Sequence, residues 1–477
     1  MSIDTANLIG FIESVSLPIS TVIMGITVAQ NFIYVIQLFV AFNALKDRLR
    51  VRGPAEAWKL MSETTMPISL LVPAYNEEAT LVESVRSILA LHYPNFEVIV
   101  INDGSKDQTL EKIIEAFELQ PIRRSYQEEV PHKRIREVYG SSKTPSLTVV
   151  DKKNGGKSDA LNAGINLSRF PLFCAVDADS LLETDALLRA VQPFAEDPRR
   201  VVAVGGTVRI ANGCRVRAGR IEAVDLPNDI IPLFQVVEYL RSFLMARLAW
   251  SRINALMMVS GAFGIFRRQT SIEVGGYDVN TVGEDMELIV KFHRHLRENK
   301  VDYEIRFVPD PVCWTEVPAT LRILSRQRIR WQRGSLETFF KHIRMLGNPR
   351  YGIAGTLGFP HILLIDILGP PAELIGYFLI PAFWLMGSLS GEFFMAYIAL
   401  ISVFGVFISV GSLILEELEL KRYPKPRQLV LLTLVAAMEN FGYRQINNLW
   451  RMVGYWQYLT GRKGKWGEMV RSGFNKS

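Results

Sequence analysis

The chain has little cysteine: Cys174, Cys214 and Cys313 are its only three, far apart and in no CxxC pair. That spacing supports neither a zinc site nor a disulfide framework, so three buried thiols are expected. Charge is missing altogether between Glu13 and Lys46, a stretch long enough to cross ~30 Å of hydrocarbon as a helix. A cleaved secretory leader is the competing reading, but its marks are also lacking. Asp4 and Glu13 stand where a basic start belongs, and no small-residue cleavage site follows. Lys46, Arg48, Arg50 and Arg52 come next and put that end in the cytoplasm by the positive-inside rule. A strong charge imbalance is absent too: the net charge is +6. The Lys and Arg excess clusters beside apolar runs, where topology accounts for it, so no nucleic-acid partner is expected.

What is present changes character along the chain. From 67 to 310, short runs of Val, Ile and Leu alternate with helical stretches, the pattern of an α/β sheet domain. Strands are expected at 68–73, 97–102, 146–150, 172–176 and 201–204, with helices at 76–91, 158–168 and 184–194. Residues 123–144 are polar, basic and aperiodic, and read as a loop or peripheral insertion. Residues 230–258 are apolar at helical spacing yet carry Glu238, Arg241, Arg247 and Arg252, which suits a helix on a membrane surface. A buried core helix is the plainer alternative. Further on, 393–415 is an uncharged run of spanning length and 374–391 a second candidate. The polar loop 416–427, with Lys421, Arg422, Lys425 and Arg427, and the tail GRKGKWGEMVR both read as cytoplasmic. Segments 353–368 and 429–443, interrupted by Asp366 and Glu439, either span or lie at the interface, so the topology of this part stays open.

Several short motifs carry chemistry. In FCAVDADS an apolar strand ends in Asp177-Ala-Asp179, and strand alternation lets both carboxylates share one side. Oxygen ligands suit Mg²⁺ or Mn²⁺, which would neutralise a diphosphate leaving group. Two solvated acids at a turn are the ordinary alternative. Asp103 closes a second strand in VIVINDGSKDQT, and ISLLVPAYNEE brings Tyr75, Asn76 and Glu77 to what should be the same sheet edge. In KNGGKSDALNAG a glycine pair and Lys157 precede a helix start, a place that favours anions. Glu284 and Asp285 open a helix in GEDMELIV. Acids there often serve only the dipole, but an acceptor hydroxyl needs a carboxylate base. His293 and His295 lie two apart and make poor metal ligands. Gln327, Arg330 and Trp331 in SRQRIRWQRG fall on one helix face, fit to hold a diphosphate and a sugar face; a basic helix on an anionic membrane is the plainer account.

In this order and spacing, VPAYNEE, NDGS, GGKSDALN, DAD, GED and QRIRW resemble the membrane-bound processive glycosyltransferases of family 2. Those include cellulose, chitin, hyaluronan and poly-N-acetylglucosamine synthases. The likeness spans about 67–335. It implies an α/β catalytic domain of GT-A type combined with transmembrane and interfacial helices. Residues 1–50 would form an N-terminal transmembrane helix and 51–315 a cytoplasmic catalytic domain. Residues 316–350 would form an interfacial helix with QRIRW, and 351–477 a C-terminal membrane region with a basic tail. Asp103, with Glu77 and Lys157, would hold the nucleotide part of a UDP-sugar. Asp177 and Asp179 would bind its diphosphate and the Mg²⁺ or Mn²⁺. Asp285 would be the general base, in the place where the family often has Thr-Glu-Asp; Gly283 is a departure from that pattern. Glu284, Gln327, Arg330 and Trp331 would stand at the acceptor and diphosphate, and SGAFGIFRR at 260–268 resembles an acceptor-contacting segment. The implied reaction is inverting transfer to a growing polysaccharide, processive and coupled to export across the plasma (inner) membrane, with export or accessory subunits as possible partners. Two alternatives are transfer of a single sugar to a lipid carrier, and a nucleotide-binding transport or scaffold protein.

Overall fold

The computed structural model of the protein describes residues 5–51, 66–217, 219–419 and 425–461. Arg52, residues 420–424 of the polar loop and the basic tail from 462 onward lie outside them. The centre is one mixed sheet in the order β3-β4-β5-β2-β1-β6-β11-β8-β12-β7. Four strands run parallel in its middle: β1 (Ile68–Ala74), β2 (Phe96–Asn102), β5 (Leu147–Lys152) and β6 (Leu172–Val176). Both their faces are covered, which is why each reads as a nearly unbroken run of Val, Ile and Leu rather than an alternation. In register, Ala74, Asn102 and Asp151 stand abreast. The polar residues after β1 and β2 therefore emerge at one edge.

On the far side of β6, β11 (Phe263–Arg267) runs antiparallel to both β6 and β8 (Val201–Ile210). Beyond β8 lies β12 (Glu304–Thr315), parallel to it, then the short β7 (Leu181–Leu182). The stretch expected as a loop at 123–144 contributes a strand: β4 (Ile135–Gly140) pairs antiparallel with β5, and β3 (Gln120–Pro121) with β4. Its aperiodic look follows from its place at the rim, where Arg136 and Glu137 are exposed and Ile135 and Tyr139 are only partly packed on the core. A two-stranded ribbon, β9 (Arg215–Arg217) and β10 (Arg220–Ala223), stands apart.

Among the helices, α1 (Thr5–Val51) is the apolar N-terminal one. On the sheet lie α2 (Leu81–Leu89), α3 (Thr109–Phe117), α4 (Lys157–Leu167) and α5 (Ala186–Glu196). Helix α6 (Ile230–Leu240) continues through a π turn, Arg241–Arg247, into Leu248–Arg252. Three of its four charges are taken up within the protein, and Arg252 is exposed. Glu238 pairs with Arg328, Arg241 with Glu439, and the Arg247 guanidinium lies 3.7 Å over the Phe243 ring. After α7 (Arg268–Glu273) come α8 (Glu284–Glu298) and α9 (Leu321–Lys341), which carry GED and QRIRW.

Among the described residues, three helices are long and apolar enough to cross a membrane: Ser14–Lys46 within α1, α10 (Ala354–Leu385) and Gly391–Leu418 within α11 (Gly391–Glu419). The two candidate segments at 353–368 and 374–391 are thus one continuous helix. Pro370 and Pro371 do not break it: the nearby Asp366 carbonyl accepts from Gln332 at 2.9 Å and Arg451 at 3.2 Å, and the Ile367 carbonyl accepts from the Tyr455 hydroxyl, so side chains replace the missing backbone donors. Segment 429–443 behaves differently. Helix α12 (Pro426–Met438) stops before Glu439, whose carboxylate takes both Arg241 nitrogens at 2.7 and 2.9 Å. The chain then turns at Gly442, φ +93°, into α13 (Tyr443–Leu459), which packs on α9 and α10.

Candidate active site

The edge formed by β1, β2, β5 and β6 opens into a cavity of about 1060 Å³. Every residue singled out from the sequence lines it: Glu77, Asp103, Lys157, Asp177, Asp179, Glu284, Asp285, Gln327, Arg330 and Trp331. They arrive from six separate elements, so their meeting is a property of the fold rather than of any one motif.

At one end, the turns after β1 and β2 lock to each other. The Asn76 N–H donates to Ser105 Oγ at 3.0 Å, the Lys106 N–H to Asn76 Oδ1 at 2.9 Å, and the Glu77 N–H to Thr109 Oγ1 at 2.8 Å. Asn76 holds φ +57°, a conformation asparagine tolerates better than most residues. Asp103 is buried, and its carboxylate accepts from Gly155 N–H at 2.9 Å and Gly156 N–H at 2.7 Å besides the Lys152 ammonium. Burial pushes its pKa up, while Lys152 and the glycine amides pull it partly back. Gly156 sits at φ +93°, which favours glycine, and hands the chain into α4. Lys152, wholly buried between Asp103 and Asp159, was missed in the sequence. It stands in DKKNGGKSD, where a lysine closing an apolar strand was the available signal.

At the centre, Asp177 and Asp179 follow β6. Lys157 Nζ pairs with Asp177, donates to the Gly261 carbonyl at 3.1 Å, and lies 3.9 Å from Glu284. Burial works against the charge of Lys157, but Asp177, Glu284 and Asp285 outweigh it and raise its pKa. The Gly261 N–H in turn donates to Asp285 Oδ2 at 3.1 Å. One residue of the SGAFG segment, Gly261, therefore links the DAD pair, through Lys157, to the GED acids. Glu284 is buried, and burial raises its pKa against the pull of Lys157. Asp285 is half-buried, with Oδ1 on its own helix, accepting from Met286 N–H at 2.8 Å.

Helix α9 closes the far side. Gly283 and Gly334 touch backbone to backbone; a Cβ on Gly283 would lie 2.8 Å from the Gly334 Cα, and one on Gly334 2.7 Å from the Gly283 Cα. This explains the departure at Gly283: the start of α8 rests directly on α9, leaving no room for a larger residue. Trp331 is 41% exposed, with the Arg328 guanidinium 4.4 Å from its ring centroid, and Gln327 Oε1 is buried without a hydrogen-bond partner. The cavity continues between the long helices past Glu373, Arg444, Asn448 and Arg451. Arg444 Nε and Asn448 Nδ2 donate to Glu373 at 3.0 and 2.9 Å.

His293 is a core residue bonded to Tyr303 and Leu256, and no cluster of three His, Cys, Asp or Glu able to hold a metal occurs among the described residues. Cys174, Cys214 and Cys313 are free thiols, the first and last buried.

Residues 66–334 match the family model described as "Glycosyltransferase like family 2". The chain is similar to poly-beta-1,6-N-acetyl-D-glucosamine synthase of Staphylococcus epidermidis, 30% identical over 275 residues, 57% of this chain and 56% of the relative. It is 29% identical over 289 residues to the synthase of the same name from Staphylococcus aureus, 60% of this chain and 59% of the relative. The matched part thus spans a little under three fifths of those relatives. Among solved structures it is similar to a mannosyltransferase from Pyrobaculum calidifontis in complex with GDP-Man and Mn²⁺. That likeness has a TM-score of 0.56 and 19% identity, covering 93% of this chain and all of the other, and it shows the shared GT-A-like fold.

Proposed function

The chain belongs to the glycosyltransferase-like family 2, and from that premise we propose that it is a membrane-embedded polysaccharide synthase using a UDP-sugar donor and a divalent cation. The observation that carries this reading is the single cavity in which Asp285 stands between the DAD carboxylates and the QRIRW helix. The nucleotide lies at the Asp103 end, among Glu77 and the Gly155-Gly156 turn. The acceptor lies toward Gln327, Arg330 and Trp331. Asp285 takes the proton of the acceptor hydroxyl as its oxygen attacks the anomeric carbon, and the bond from that carbon to UDP breaks with inversion.

Asp177 and Asp179 would hold Mg²⁺ or Mn²⁺. Two carboxylates without a third protein ligand among the described residues fit a cation whose remaining positions are taken by phosphate oxygens and water. When bound, that cation neutralises the departing diphosphate. Lys157 already offers the Asp177 carboxylate a positive charge and can turn it toward phosphate.

The relatives' printed name supports N-acetylglucosamine as the sugar. Processive growth is supported by the exposed Trp331 at the acceptor end. Export is supported by the polar residues that carry the cavity in among the three long apolar helices. In this reading residues 1–50 and the long apolar helices of 351–477 sit in the plasma (inner) membrane, the loop 416–427 and the basic tail lie on its cytoplasmic side, 51–315 face the cytoplasm, and 316–350 lie at the interface. The test is to incubate the full chain in detergent with single UDP-sugars and Mg²⁺ or Mn²⁺, following UDP release and product length, with and without chelator. UDP release with UDP-N-acetylglucosamine, stopped by chelation and yielding long products, is expected. Absence of release with every donor would sink the reading; single-sugar products would remove processivity alone.

A further inference from the structure

Arg247 has no role in the account so far, and its surroundings are unusual. Its side chain is more than nine-tenths buried, lines the cavity, and leaves Nε and Nη1 without any hydrogen-bond partner. Its guanidinium carbon lies 3.7 Å over the Phe243 ring centroid. A buried cation that lacks a paired carboxylate costs several kcal/mol unless something else satisfies it, and a cation–π contact offsets only ~2 of them. Burial lowers its pKa to about 10, with Asp285 opposing, so it stays charged at neutral pH. The π turn Arg241–Arg247 points the same way. Such turns widen the helix by one residue, re-aim the side chains that follow, and gather at functional sites.

We propose that Arg247 is an acceptor-binding residue, its Nε and Nη1 donating to an oxygen of the acceptor's terminal sugar while Asp285 takes the proton of the attacking hydroxyl. Gln327 completes the subsite from α9. Its buried Oε1 has no hydrogen-bond partner on the same cavity and accepts from a hydroxyl or amide N–H of that sugar. Arginine donors and a glutamine acceptor thus face a ligand that offers both kinds of group, as a neutral amino sugar or hexose does. A neighbouring phosphate is the less suited ligand, because Gln327 Oε1 and Asp285 would repel it. The signal in the sequence was an arginine within an apolar helix, which a membrane-surface reading explained away.

The inference rests on the proposed transferase reading, so its test includes a measurement that needs no turnover. A β-1,6-linked N-acetylglucosamine tetramer is titrated against the full chain in detergent, read by tryptophan fluorescence, beside donor kinetics with UDP-N-acetylglucosamine. For Arg247→Met, the tetramer affinity and the acceptor KM are expected to worsen at least tenfold, with UDP affinity within twofold of the unaltered chain. Arg247→Lys keeps the charge over Phe243 but not the paired donors, and an intermediate loss is expected; it also serves if the Met variant does not fold. Unchanged tetramer affinity in a folded variant, or an equal loss of UDP affinity, overturns the assignment. A chain that binds the tetramer through Arg247 yet releases no UDP keeps this inference and sinks the transferase reading instead.

Discussion

The two ends of the cavity are built to different standards of completeness. At the Asp103 end, the proposed donor end, nearly every polar group already has a protein partner: Asp103 holds Lys152 and two glycine amides, and Asn102 donates to Asp151 at 2.8 Å. At the opposite end, the proposed acceptor end, Gln327 Oε1 and two Arg247 nitrogens are buried without partners, and Trp331 shows an open face. Under the proposed function this difference follows from what each end would hold. A nucleotide is the same in every cycle, so its site can be finished in advance. A growing glycan supplies its own groups, and its site is left short of them.

Of the two ends, the finished one should suffer more when broken. Asp103→Asn removes one of the two carboxylates facing a wholly buried Lys152 and loosens the Gly155-Gly156 turn. Breaking a buried pair costs about 3 kcal/mol of folding stability, so the melting temperature is expected to fall. Donor KM is expected to rise ~10–100-fold through the lost charged contact to the nucleotide, while the acceptor KM changes little. An equal rise in both would erase the distinction between the ends. At the open end Trp331→Ala should be milder, about tenfold in acceptor KM, with shorter products on a sizing gel and donor KM within twofold. Product length unchanged would remove Trp331 from the acceptor path.

The seam between the two ends is tested through stability rather than activity. An exposed helical Gly→Ala normally stabilises by ~1 kcal/mol, but in Gly334→Ala the new Cβ would sit 2.7 Å from the Gly283 Cα. The sign is therefore expected to reverse, with a loss of ~1–3 kcal/mol in thermal or denaturant unfolding. Gly283→Thr should behave likewise. Stabilisation by either would mean that α8 and α9 do not meet as described.

The donor end was also the end legible in the sequence. Its motifs sit directly after strands, and parallel strands deliver their carboxyl ends to one edge whatever the details. Asp103, Asp177 and Asp179 could thus be placed before any contact was known. Lys152 escaped because an apolar strand masked a buried cation. The acceptor end gathers residues from α6, α8 and α9, whose packing no local pattern encodes. Gln327 and Trp331 were found through helical spacing, but Arg247 was not, since an arginine in an apolar helix also suits a membrane surface. The membrane part was legible in composition and not in boundaries. The sequence divided 353–368 from 374–391, where one helix runs on through Pro370 and Pro371, and Glu439 looked like a flaw in a span although it is the partner of Arg241.

The central claim is that Asp285 stands between a donor site it does not build and an acceptor whose proton it takes. Asp285→Asn, which keeps the shape and removes the base, tests it most directly when UDP affinity and sugar transfer are measured on the same preparation. The account predicts transfer down by about 10²–10⁴-fold with UDP affinity within twofold. Transfer that persists, or UDP affinity that falls along with it, would contradict the account.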